Sequence, residues 1–280
     1  MVRVIATDLD GTLLKPIKRI SLVEKANRKF IKEFYGDIVL NSGRSPKFCE
    51  KICNNLKIEH NFIALNGSII VKNGTTIYSQ SMKKTILNNL LKFLEENYDN
   101  YEFLIFDKYD KITCYTPSKL RVKAKYFLHK IKNKRLCDKI TVNNSKAKKY
   151  LNDKTEIYKA IIYHENTEDM ASLLKEKYKE HFEFYVSKHS IEISPIGVSK
   201  GNSLKYLIDT TNVKYDEVYV VGDSVNDASM FNLFSNSFLV LNKENRLKTK
   251  TKYKIDKFSD LKKYTELNNN FHWGTKHELF

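Results

Sequence analysis

Two carboxylates two residues apart, Asp8 and Asp10 in DLDGT, follow directly on the apolar run VRVIAT. At a strand end this spacing can turn both acids toward one pocket once the loop bends, and two anions held so close repel unless a cation relieves them. A second acidic pair, Asp223 and Asp227 in GDSVND, follows another apolar run and adds oxygen ligands. An all-oxygen donor set favours magnesium over zinc, so Mg2+ is the expected cofactor. A phosphate ester in turn needs positive charge and hydrogen-bond donors around its oxygens. NSGRS offers the Ser42 hydroxyl with the Gly43 and Arg44 amides at a loop-to-helix junction, and SPIGVSKGNSL offers Lys200 just before a helical run. The pieces converge on phosphoryl transfer. Each is bland alone: a DxD is often a solvated turn, Ser42 or Lys200 a helix cap, and the Arg44 side chain half of a salt bridge.

The elements that must position these residues share one grammar. VRVIAT, DIVLN and EVYVVG are short apolar runs, and each ends in a polar, glycine-containing loop followed by a helical stretch: LVEKANRKFIKEF, KFCEKICNNL and ASMFNLF. That alternation predicts an α/β fold, a Rossmann-like parallel sheet with covering helices, whose ligand sits at the carboxyl edge of the strands. Residues from about 81 to 189 read differently. Helical KKTILNNLLKFLEENY and DMASLLKEKYKEHF alternate with strand-like YEFLIF, KITCYT, IYKAIIY and FEFYVS, without acidic loops at the strand ends. An inserted α+β cap is expected there, laid as a lid over a discontinuous core of residues 1–80 and 190–280.

In this order DLDGTLL, Ser42 in NSGR, Lys200 in GVSKG and GDSVND resemble the four motifs of the haloacid dehalogenase-like superfamily. The insert between the second and third motifs resembles a class IIB cap, and LNGSIIVKNG with IEISPIGVSKGNSL is similar to the Cof-type phosphatases. The resemblance covers nearly all of residues 1–265. It implies that Asp8 is the nucleophile, forming an aspartyl phosphate, and that Asp10 is the general acid and base. It also implies magnesium on the Asp8 and Asp223 carboxylates and the Asp10 main-chain carbonyl, with Asp227 on the ion or just behind it. Ser42 and Lys200 would hold the transferring group, Asn226 would position phosphate or Asp8, and the Gly11 amide and Thr12 hydroxyl would face the same group. The chain departs from the family after the fourth motif, where SFLVLNKENRLK replaces a turn containing glycine and alanine and Asn242 fills the position.

Composition narrows the rest. The 280 residues are 41% hydrophobic and 29% charged, ordinary globular usage with room for one or two cores. There is no apolar run of membrane-spanning length and no signal-like amino terminus, so the expectation is a cytoplasmic protein with no membrane partner. Cys49, Cys53, Cys114 and Cys137 are too few and scattered for a disulfide framework, and no second ligand pair joins Cys49 and Cys53 at zinc spacing. The formal charge of +16 comes from lysines spread among asparagines along the whole chain rather than from one arginine-rich block. Nucleic acid is therefore not the expected partner, and the seven histidines show no paired metal spacing. The expected partner is a small phosphate ester, most readily a sugar phosphate, acted on by a monomer or weak dimer. Two other readings stay open: a phosphomutase or phosphotransferase using the same aspartyl phosphate, and a silent RNA-binding protein using the basic surface.

Overall fold

The computed structural model describes residues 2–17, 20–108, 111–132, 140–241 and 250–266. Asn242, Cys137 and the tail from residue 267 lie outside them. The described residues fall into two compact units, one of 2–44, 48–78 and 199–266, the other of 45–47 and 79–198.

In the first unit the strands are β1 (Val4–Thr7), β2 (Leu14–Ile17), β3 (Ile20–Val23), β4 (Asp37–Asn41), β5 (Phe62–Ala64), β6 (Ile69–Lys72) and β7 (Thr75–Ser79), then β14 (Val218–Gly222), β15 (Asn236–Val240) and β16 (Tyr253–Ile255). Eight of them form one sheet in the order β16-β15-β14-β1-β4-β5-β6-β7. Pairing is parallel from β16 through to β5 and turns antiparallel at β5–β6. β2 and β3 form an antiparallel hairpin of their own. β1, β4 and β14 are buried along their whole length, as strands covered on both faces must be, and this is why they read as continuous Val/Ile/Leu runs. The covering helices are α1 (Lys25–Glu33), α2 (Pro46–Leu56), α7 (Lys200–Asp209), α8 (Ala228–Leu233) and α9 (Lys262–Glu266). α7 sets Leu204, Leu207 and Ile208, spaced by three and four residues on one helical face, against Val4, Ala6, Val39, Val218 and Val220. Its start is fixed by Ser199, whose side chain accepts from the Asn202 amide. The functional consequence is topological: β1, β4 and β14 are neighbours and parallel, so the loops after Thr7, Asn41 and Gly222 leave the same edge.

The second unit holds a six-stranded sheet, in the order β10-β9-β8-β11-β13-β12. Its strands are β8 (Glu102–Asp107), β9 (Ile112–Tyr115), β10 (Ile140–Val142), β11 (Ile157–Tyr163), β12 (Phe182–Val186) and β13 (Ser190–Pro195). Its helices are α3 (Lys84–Asn97), α4 (Lys119–Lys132), α5 (Asn144–Asn152) and α6 (Thr167–Tyr178). α3 buries Leu87, Leu90, Leu91 and Leu94, each worth about 2 kcal/mol on burial, against Phe103, Ile105, Ala160, Ile162, Ile191 and Ile193. Residues Ser190–Pro195, which the sequence reading assigns to the core, pair as β13 with both β11 and β12. The turn that separates β13 from the Lys200 helix, closed by the Val198 amide on the Pro195 carbonyl at 3.1 Å, does not reveal in sequence which sheet the strand joins.

Candidate active site

Asp8 leaves the end of β1 with its amide bonded to the Val221 carbonyl at 2.9 Å, so its position is tied to β14. The loop beyond closes tightly: the Leu14 amide reaches the Leu9 carbonyl at 2.7 Å and the Gly11 amide the Leu14 carbonyl at 2.9 Å. Gly11 has φ +90, and a Cβ there would lie 2.3 Å from Asp223 Oδ2, so the turn admits only glycine without displacing that carboxylate. The Thr12 hydroxyl donates to Asp223 Oδ1 at 3.0 Å. Gly11 and Thr12, expected to face a transferring group, here spend their donors on the loop and on Asp223.

Lys200 is almost wholly buried at the start of α7. Its Nζ donates to Asp8 Oδ1 at 2.5 Å and to Asp227 Oδ1 at 2.7 Å. The other oxygen of Asp227, Oδ2, accepts from the Asp223 amide, the Ser224 amide and the Ser224 hydroxyl, at 2.9, 2.9 and 3.0 Å. Both Asp227 oxygens are therefore occupied, and Gly222 makes room for the side chain, since a Cβ there would fall 2.4 Å from Asp227 Cγ. Asp8, Asp223 and Asp227 present carboxylate oxygens within 4.8 Å of one another. Asp10 stands apart from this trio. Arg44 holds it from both nitrogens, Nε to Oδ2 at 2.6 Å and Nη2 to Oδ1 at 2.9 Å, and the Asp10 side chain is 42% exposed. The Arg44 guanidinium also lies over the Phe48 ring at 4.8 Å, which fixes its plane. Ser42 is buried, and its hydroxyl accepts from the Arg44 amide at 3.2 Å. Asn226 donates from Nδ2 to Asn66 Oδ1 at 3.1 Å.

A family model for haloacid dehalogenase-like hydrolases matches residues 5–260. The chain belongs to that family. Among curated relatives, a Buchnera aphidicola protein named provisionally as a phosphatase is 28% identical over 264 residues, 90% of this chain and 89% of that protein. The 5-amino-6-(5-phospho-D-ribitylamino)uracil phosphatase YwtE of Bacillus subtilis is 26% identical over 274 residues, 89% of this chain and 91% of the relative. A solved subclass IIB sugar phosphatase of the superfamily shares the fold, with a TM-score of 0.76 at 16% identity, covering 95% of this chain and all of the other.

The electrostatics of this hydrolase centre on its clustered, buried acids. Burial pushes the Asp8 carboxyl well above the ordinary range, Lys200 pulls it back, and Asp227 and Asp223 push it further up. Asp223 is raised to about 7, by burial and then by Asp227. Burial works against the Lys200 ammonium, yet Asp227 and Asp8 outweigh it and hold its pKa above the usual lysine value. Among the described residues one ammonium, Lys200, is bonded to Asp8 and Asp227 in this trio of buried carboxylates, and a divalent cation with oxygen ligands fits such an acid-rich donor set. Two contributors escaped the sequence reading, Ser224 and Asn66. Asn66 precedes Gly67 in a buried turn at positive φ, and its Asn-Gly pair was the one available signal.

Proposed function

We propose that this hydrolase is a magnesium-dependent phosphatase of small phosphomonoesters, sugar phosphates foremost. The observation that carries the reading is the buried Asp8–Lys200–Asp227 arrangement with Asp223 beside it. Asp8 Oδ1 is engaged by Lys200, whereas Oδ2 has no hydrogen-bond partner among the described residues and is the oxygen we assign to attack on phosphorus. The new P–O bond gives an aspartyl phosphate as the bond to the alcohol oxygen breaks, and Asp10 gives that oxygen its proton. Asp10 then takes a proton from the water that hydrolyses the acyl phosphate. Both Asp10 oxygens lie on Arg44, so donation requires the Asp10 side chain to turn from Arg44 toward the leaving group. The Ser42 hydroxyl and the Gly43 amide are assigned to the phosphoryl oxygens, the Arg44 amide orienting the Ser42 hydroxyl it donates to, with Lys200 neutralising charge on Asp8.

Asp8 and Asp223 would hold the magnesium ion, together with the Asp10 main-chain carbonyl. Asp227, its oxygens already spent on Lys200 and on the loop amides, would support from behind. When bound, the ion would supply charge neutralisation to the transferring group. Substrate selection is assigned to the second unit. Support for a sugar phosphate comes from a relative named for a phosphorylated ribitylamino compound and from a fold neighbour named as a sugar phosphatase.

The test is inorganic phosphate release from a panel of phosphomonoesters, with magnesium or with EDTA. Release is expected only with magnesium, and Asp8→Asn should lower it by at least about a thousandfold. Release that persists in Asp8→Asn would overturn the assignment.

A further inference from the structure

The turn after β5 holds the one run of three successive positive-φ residues among the described residues. Leu65, Asn66 and Gly67 follow one another at φ +52, +60 and +112. Asparagine tolerates the left-handed region better than most residues, but leucine there costs on the order of 1–2 kcal/mol. All three residues are buried, and the turn is tied down on several sides. The Leu65 amide donates to the Arg44 carbonyl at 2.9 Å and the Asn66 amide to the Ser42 carbonyl at 3.0 Å. The Ser203 hydroxyl of α7 donates to the Gly67 carbonyl at 2.9 Å. Two consecutive amides of the turn thus grip the carbonyls of Ser42 and Arg44, the loop assigned to the phosphoryl oxygens.

The Asn66 side chain reaches the other loop. Its Oδ1 accepts from Asn226 Nδ2 at 3.1 Å. Asn226 Oδ1 faces the Ser224 hydroxyl at 2.6 Å, and that hydroxyl also lies 3.0 Å from Asp227 Oδ2, so its one proton serves two acceptors. Asp227 Oδ1 then meets Lys200, which meets Asp8. A continuous series of hydrogen bonds therefore runs from the Ser42 carbonyl through Asn66, Asn226, Ser224, Asp227 and Lys200 to Asp8. Asn66 is the member that makes both a backbone bond to the loop after β4 and a side-chain bond to the loop after β14.

We propose that Asn66 is a positioning residue, which fixes the amide of Asn226 and sets the loop of Ser42 in register with the loop of Asp223 and Asp227 for phosphoryl transfer. The kinetic part of this inference rests on the phosphatase reading; the hydrogen bond at its centre does not. The left-handed backbone explains why an asparagine serves: it places a short side chain with an acceptor across from Asn226 at little conformational cost. Glycine is free at this φ, so Asn66→Gly removes the acceptor without straining the turn. Aspartate keeps an acceptor and cannot donate, so Asn66→Asp preserves the bond if Asn226 presents Nδ2 to it.

Two measurements test this. The first needs no catalysis. The side-chain amide of Asn226, assigned in a nitrogen-15 NMR spectrum by its loss in Asn226→Ala, should show a proton that exchanges more slowly with solvent in the unaltered chain and in Asn66→Asp than in Asn66→Gly. Exchange indifferent to Asn66→Gly overturns the inference whatever the enzyme does. The second is steady-state hydrolysis of p-nitrophenyl phosphate with magnesium. Asn66→Gly should lower kcat about tenfold or more with KM within about twofold, the signature of lost alignment rather than lost binding. In an Asn226→Ala background, Asn66→Gly should cost nothing further. Full additivity of the two substitutions, or an Asn66→Gly enzyme as fast as the parent, overturns the proposal. No magnesium-dependent phosphate release by the unaltered chain sinks the phosphatase reading and the kinetic role together, a result distinct from failure of the exchange test.

Discussion

Each unit of the molecule buries a lysine, and the two are buried for different ends. Lys200, in the first unit, is 1% exposed and lies within 2.7 Å of two carboxylates that are themselves buried, with Asp223 close behind. Lys159, in the second, is 3% exposed in its side chain, pairs with Glu192 at 2.8 Å and lies over the Phe106 ring at 5.7 Å, but the Glu192 side chain is 26% exposed. Glu192 therefore keeps water as a second partner, while the acids around Lys200 have little. The buried lysine of the second unit thus has its counter-ion at the edge of solvent. In the first unit three buried carboxylates cluster around Lys200 among the described residues, an arrangement that costs stability and that a bound cation would relieve.

Removing the first lysine should expose this difference most strongly. Lys200→Met leaves three buried carboxylates without their ammonium, and breaking such a pair costs about 3–5 kcal/mol. A large drop in Tm in EDTA at pH 8 is expected, with partial recovery in excess magnesium, and phosphate release should fall at least about a hundredfold. A variant with unchanged Tm in EDTA would show that the acids are already neutral and that the contrast is false.

The pH dependence of stability sharpens the same point. Asp223 is raised to about 7 in the folded chain and Asp8 stands well above its ordinary value, so between about pH 4 and 7 the folded state holds more protons than the unfolded one. What these two groups contribute to the stability of the metal-free protein is therefore full below the unfolded pKa and is lost as pH rises through the folded pKa. In EDTA, Tm should fall by roughly 5–10 °C between pH 5 and 8, and the upward shift produced by magnesium should be largest at pH 8. A Tm that rises over this range without metal would contradict the burial of acid.

Gly11→Ala is a smaller perturbation of the same cluster. The added methyl meets Asp223 Oδ2 in a backbone held at φ +90, so it should cost about 1–3 kcal/mol and weaken magnesium binding by displacing Asp223. Calorimetric titration of magnesium against parent and variant reads the displacement directly. Equal affinities would mean that Asp223 takes no part.

Why some of this was legible in the sequence and some not follows from where the signals lie. Val4–Thr7, Asp37–Asn41 and Val218–Gly222 announce a parallel sheet because strands buried on both faces cannot carry polar residues, and the polar residues that follow them must meet at one edge. That locates Asp8, Ser42 and Asp223 without coordinates. Partner choice is another matter. Nothing in DLDGT says that Asp10 turns to Arg44 while Asp8 turns to Lys200, since both follow from loop geometry set by the Leu9 and Leu14 backbone bonds. Asp227 reads as a ligand, yet its oxygens go to two amides, a hydroxyl and Lys200. Asn66 is invisible to a search for acids and bases because it acts through an amide at an unusual φ. In the insert, the Pro195–Val198 turn that parts β13 from the helix of Lys200 says nothing of which sheet the strand before it joins, so the pairing of β13 with β11 and β12 is not legible.

The smallest expected effect belongs to the second lysine, and it is the sharpest control. Lys159→Met replaces a buried ammonium with an apolar chain of similar length on a sheet face that already presents Phe106, and it leaves Glu192 able to turn its charge to water. A loss of about 1 kcal/mol is expected, because a pair with one partly exposed partner recovers solvation when broken. Substituting Glu192→Leu as well should restore most of that loss, since the face then carries no charge to satisfy. Neither variant should alter the magnesium dependence of Tm. If Lys159→Met destabilises as much as Lys200→Met, or if its Tm responds to magnesium, the second unit holds a charge deficit of its own and the contrast between the two lysines fails.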